Sequence, residues 1–382
     1  MRKPMFSLLL LAATSFAATP QPEVQAPAAS TASTTATSAP PSENAVASDP
    51  LAQKRDAMSK AYHADLVRDL SASREPRDWA LAALIGSNGT TQGSVQVDGG
   101  LLARAATAAP NDALVQWLAL LHSDRASAPP ELSRDALARL QTLEPDNASV
   151  WVQALALAGK NAEVGVLDDI LHRMATSTYS NEHFIDIQKT LTDTFKRHPL
   201  PDEFFAVAAA MPADPTTIPL TRESAPYIAS TAIAAAFALP AYQALVNACK
   251  PRAAAPLSAP RIDECAKIGR TMAVTGNTVA ANHVGFALLR ITRRYTDADE
   301  RLARSQDWVL QSTVNRSGEP VGSTANWAAR MEDRFAAKSE IEGMRSELVR
   351  DGLPSEPPTD WVDPHSPFSA ERLERDRASA TP

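Results

Sequence analysis

A period of 34 to 35 residues constrains this chain more than any other feature. The run from Leu102-Ala103-Arg104 to Pro110-Asn111-Asp112-Ala113-Leu114-Val115 recurs, at an offset of 35, as Leu137-Ala138-Arg139 to Pro145-Asp146-Asn147-Ala148-Ser149-Val150. Thr107 and Thr142 keep the same offset, and a tryptophan follows each unit, Trp117 and Trp151. Upstream, Leu66-Val67-Arg68 leads to Pro76-Arg77-Asp78-Trp79, with the prolines 34 apart. Downstream, Leu171-His172-Arg173 leads to Thr176 and Tyr179-Ser180-Asn181, displaced by 34, with tyrosine in the proline's place. Two short antiparallel helices with their turns need about this many residues. The proline stops one pair, and the Asp or Asn beside it caps the next helix. After the cap, Trp151, Leu155 and Ala158 recur at helical spacing.

This pattern resembles the tetratricopeptide repeat family over roughly residues 60 to 195. Trp79, Trp117 and Trp151 fall near the family's bulky first-helix position, with register slips of a residue or more. Gly86 falls where the family prefers a small residue, and Leu120 and Leu155 take the equivalent places in the next units. The resemblance implies an all-α fold, a right-handed α-solenoid of antiparallel helix pairs with a concave protein-binding surface. The solenoid is expected over residues 51–198, and a second, less regular helical subdomain over 199–353.

Composition agrees with helix throughout, since alanine is abundant and there are only 14 glycines. Six prolines between Pro199 and Pro226 mark the boundary between the two halves. Tyr227 to Val246 carries no charge, but it is mostly alanine and Pro240 interrupts it. It therefore reads as two buried helices meeting at Leu239 and Ala241, with no integral membrane segment. Further helices are expected over Ile262–Val274, from Asn277 or Thr278 to about Tyr295, over Arg301–Val314 and over Ala325–Arg350. Residues 354–382 read as a mostly disordered, proline-rich tail, in which Trp361 and Phe368 are candidates to dock back.

The first 17 residues read as a secretory signal peptide. Arg2 and Lys3 precede the apolar run Phe6–Ala13, and Ser15-Phe16-Ala17 offers small residues for cleavage after Ala17 or Ala18. Residues 18–50, rich in Ala, Ser, Thr and Pro, contain no aromatic residue to bury and read as a disordered linker. A periplasmic or secreted protein of bacterial type follows. Its 2 cysteines, Cys249 and Cys265, are then expected to form an intramolecular disulfide between the end of one helix and the start of the next.

Little in the sequence points to chemistry. Lys+Arg 37 against Asp+Glu 44 gives a net charge of −7, which argues against nucleic-acid binding. The histidines show no metal spacing, and no Gly-x-Ser-x-Gly elbow is present. Catalytic residues, a metal and a cofactor are accordingly not expected. The Gly86–Gly100 stretch lacks the lysine of a phosphate loop, and Asn88, Thr90, Thr91 and Gln92 are left as a candidate binding loop. Arg290, Arg293 and Arg294 form a candidate patch for an anion or a partner. The expected role is an exported, non-catalytic scaffold or adaptor binding a protein or peptide. The alternatives are an envelope or secreted enzyme with a site of dispersed residues, and a structural component of a secretion or surface assembly.

Overall fold

The computed structural model describes residues 50–86, 99–122, 129, 131–159, 163–211, 220–237, 240–251, 256–316, 324–362, 366–369 and 374. Among them the regular elements are all helices: α1 (Pro50–Ala72), α2 (Pro76–Gly86), α3 (Gly99–Ala108), α4 (Ala113–His122), α5 (Leu132–Leu143), α6 (Ala148–Ala158), α7 (Val164–Thr176), α8 (Phe184–Arg197), α9 (Asp202–Ala209), α10 (Ala225–Phe237), α11 (Tyr242–Cys249), α12 (Ala259–Thr275), α13 (Val279–Thr292), α14 (Asp297–Arg316), α15 (Thr324–Ala336) and α16 (Glu340–Arg350). The all-α expectation holds. No helix among the described residues is long and apolar enough to cross a membrane.

Each helix from α1 to α7 packs on its sequence neighbour, and α7 then packs on α12. The first core joins Leu66, Leu81, Leu102, Trp117 and Leu140 to Leu191 and Phe195 of α8 and to Ile233 of α10. The second joins Leu155, Leu171 and Met174 to Leu245, Ile268, Met272 and Leu288. Apolar packing thus runs across the proline-rich stretch, because α6 and α7 need α11 to α13 to cover their outer faces.

Cys249, the last residue of α11, is bonded to Cys265 in the second turn of α12, with sulfurs 2.04 Å apart and Cα atoms 5.7 Å apart. Both side chains are wholly buried in the second core. The α12–α13 hairpin brings two helix backbones into direct contact. A Cβ on Gly285 would stand 2.4 Å from the Ala273 nitrogen, and one on Gly269 would stand 2.9 Å from the Gly285 carbonyl oxygen. Only glycine lets these two backbones meet.

The single helix expected over Ala325–Arg350 is two. Ser339 adopts extended backbone, its hydroxyl caps α16 by accepting from the Glu342 N–H, and α16 turns back onto α15. Gly343 permits that reversal, since a Cβ there would lie 2.9 Å from the Arg334 Cα. Trp361 and Phe368 do dock: Trp361 meets Trp308 edge to face, and Phe368 is buried against Phe286 and Tyr295.

Candidate functional site

The helix starts of the repeated units lie side by side, and their capping side chains join them. Asp112 Oδ1 caps α4 by accepting from the Leu114 and Val115 amides, while Oδ2 receives Arg77 Nε at 2.6 Å. Asn147 Oδ1 caps α6 through the Ser149 N–H and also accepts from the Asn181 N–H. Its Nδ2 donates to the Asn181 carbonyl at 2.9 Å and to Glu144 at 2.8 Å. Asn277 Nδ2 donates to Asn181 Oδ1, and its Oδ1 accepts from the Glu182 N–H. The Asn277 carbonyl then accepts from the Glu340 N–H, at the start of α16. Parallel backbone bridges link Asn147 with Tyr179 and Ser180 with Gly276. The result is a ledge of turns crossing from α6 to α16.

Glu182 and His183 sit in this ledge, in the turn before α8 and not on a helix. Glu182 is fully buried. Its Oε1 accepts from the Tyr242 hydroxyl and from Ser149. Burial pushes this carboxyl up to about 7, against the hydroxyl donors that favour its charge.

His183 takes a left-handed backbone, φ 55°, and its ring lies 5.6 Å from that of Trp117, tilted by 56°. Its nitrogens meet Glu144 at 3.1 Å and Asp186 at 3.2 Å. Burial disfavours the imidazolium, but the two carboxylates more than offset it and raise its pKa to about 9. Asp186 is held below the usual carboxylate range by that hydrogen bond, and Glu144 is lowered too despite its own burial. At neutral pH His183 is therefore a fixed positive charge rather than a free base.

Beside it opens a cleft of about 680 Å³ between the first turn of α2, the start of α4 and one face of α8. The α8 face presents Asp186, Lys189, Asp193 and Arg197, all exposed, at helical spacing and with alternating sign. Arg77 and Asp78 face them from α2, and Asp78 meets Arg197 at 3.4 Å. The lining thus offers charged groups of both signs.

Of the residues singled out in the sequence, Asn88, Thr90, Thr91 and Gln92 lie outside the described residues. Arg290 donates to the Pro367 carbonyl, and Arg294 pairs with Asp263 at 3.0 Å. Arg293 closes α13 in a left-handed conformation and is exposed. The tryptophans divide by register. Trp79 and Trp151 each donate their indole N–H to the carbonyl six residues back, Ser73 and Pro145. Trp117 stands one residue later relative to its cap, a rotation of about 100°, and is wholly buried. Gln116 takes the equivalent place and bonds the Ala106 and Ala109 carbonyls. The cleft and the buried Glu182 carried no sequence motif, although the repeat did mark Asp112, Asn147 and Asn181 as a series. Compared with protein families, curated proteins and solved structures, the chain matches none.

Proposed function

We propose that this chain is an exported, non-catalytic scaffold or adaptor that binds a protein or peptide, with a tetratricopeptide-like right-handed solenoid as its N-terminal half. One observation carries the reading. The cleft beside His183 is built from helix starts and one helix face, so rigid elements hold its charges for a partner. The consecutive packing of α1 to α7 and the side-by-side turns favour a solenoid. The Cys249–Cys265 bond favours an oxidising compartment, periplasmic or secreted.

The test is affinity capture of the signal-cleaved protein from its own envelope, beside a variant carrying Lys189→Glu and Arg197→Glu. Both side chains are exposed, so the fold should tolerate the change. A partner retained by the native protein and lost by the variant supports the cleft as the binding surface. Identical captured sets would remove the cleft from consideration.

A further inference from the structure

The proline-rich segment after α16 is bound to the rest of the chain in the manner of a peptide ligand. Arg304 of α14 gathers three of its carbonyls, donating to Pro358 at 2.5 Å, Thr359 at 3.2 Å and Trp361 at 2.6 Å. Trp308 donates its indole N–H to the Pro354 carbonyl at 3.0 Å, and Arg290 donates to Pro367. Those five carbonyls are read as backbone alone. Side chains add two aromatic anchors. Trp361 meets Trp308 at 5.4 Å and 78°, and Phe368 lies 4.7 Å from Tyr295 and 6.0 Å from Phe286. Glu356 accepts from Ser305 and lies 3.6 Å from Arg345. Pro354, Pro358 and Thr359 are exposed to solvent.

The segment is bent at Ser355–Glu356 and turns at Thr359–Asp360, where the Trp361 N–H donates to the Pro358 carbonyl at 3.1 Å. A proline-containing segment held by its carbonyls and by aromatic side chains is bound as a peptide ligand is bound, through backbone bonds plus side-chain anchors. We propose that the α13–α14 face is a peptide-recognition groove, filled in cis by the chain's own tail and open in trans to a partner's proline-containing peptide that carries an aromatic residue and takes the tail's bent conformation. The tail then acts as a built-in competitor. Tethering gives it an effective concentration of roughly millimolar, so only a partner that binds well or arrives at high local density displaces it. The groove is separate from the charged cleft, and its test is independent of that reading.

The probe is a labelled synthetic peptide of residues 354–369, titrated into the full chain and into a full-chain variant with Trp361→Ala and Phe368→Ala. The variant should bind at least about tenfold more tightly than the native chain, because its own tail no longer competes. Adding Arg304→Ala should abolish that binding. No saturable binding to the folded variant, or binding that survives Arg304→Ala, overturns the proposal. Should the variant fail to fold, hydrogen exchange on the native chain decides: excess peptide should speed exchange at the Trp361 and Phe368 amides. Unchanged protection at millimolar peptide overturns it as well. Self-association of the native chain by tail exchange, seen in sedimentation, would assign the groove to a second copy and overturn the partner reading.

Discussion

Asn147 pairs with the backbone of Asn181 as a neighbouring strand would. Its amide donates to the Asn181 carbonyl and accepts from the Asn181 N–H, both at 2.9 Å. One side chain thus caps its own helix and fixes the next unit beside it. This dual use separates a simple cap from a joint. As caps alone, Asn and Asp are nearly equivalent. Asn147→Asp keeps the cap acceptor but loses both donors and sets a carboxylate beside Glu144. It should cost about 2–3 kcal/mol, the penalty of a buried group left unpaired. Asp112→Asn, where only an exposed contact to Arg77 is weakened, should cost under about 1 kcal/mol. Urea unfolding of both variants checks this. Equal effects would reduce Asn147 to an ordinary cap.

The tryptophans give a second comparison. Trp117 is wholly buried, while Trp151 is half-buried and lies under Arg173. Trp117→Ala should cost about 3–5 kcal/mol and Trp151→Ala roughly half as much or less. Denaturant midpoints measured on the full chain decide it. A larger loss for Trp151→Ala would mean that the register of these helices is misplaced.

Stability should decline as pH rises from about 5 to 9. Glu182, raised from 4.5 to about 7 in the folded chain, binds its proton more tightly there, so its contribution is lost between those values. His183, raised from 6.5 to about 9, stabilises fully below 6.5 and loses this as pH passes 9. Glu144 and Asp186 are lowered, so their contribution fails only on acidification. Melting temperature against pH should therefore peak near the acid side of neutrality. Glu182→Gln should flatten the lower window. His183→Asn, which tolerates the left-handed backbone, should flatten the upper one. A native profile that is level from pH 5 to 9 would contradict both.

Two glycines should respond in opposite directions to alanine. Gly285→Ala drives a methyl into the backbone of α12 and should cost about 3 kcal/mol or more. Gly165, in α7, has nothing within 4 Å of an added Cβ. Gly165→Ala should gain about 0.5–1 kcal/mol from helix propensity. Calorimetry on both variants is the measurement, and a stable Gly285→Ala chain would mean that α12 and α13 are not in backbone contact.

How much of this was legible depended on sequence distance. The period exposed the capping series Asp112, Asn147 and Asn181, because equivalent units repeat the same local need. It gave no hint of Asn277, which completes the ledge from 96 residues beyond Asn181 and belongs to no period. Tyr242 reaches Glu182 in the same way, from α11 across the proline-rich stretch. The tail's anchors Trp361 and Phe368 stood out as aromatics among prolines, but nothing local marked Arg304 as their receptor. The break at Ser339 was missed because the helical residues on both sides masked a single capping serine.

The cysteine pair needed only a count of two and the expectation of export, and it leads to the last prediction. Cys249 and Cys265 close a loop of sixteen residues between α11 and α12, and their side chains are fully buried in the core shared with α6 and α7. Loop closure of this size contributes about 3 kcal/mol by constraining the unfolded chain. Because both sulfurs are buried, mild reductant should act only through opening of the surrounding core. The native chain should thus keep its bond in reductant alone and lose it in reductant with moderate urea, with the unfolding midpoint then falling. Cys249→Ala with Cys265→Ala should lower stability by a similar amount and abolish the difference between reducing and oxidising conditions. Rapid reduction of the native chain without denaturant, followed by alkylation of both thiols, would show that the α11–α12 junction opens on its own and that the bond staples no closed core.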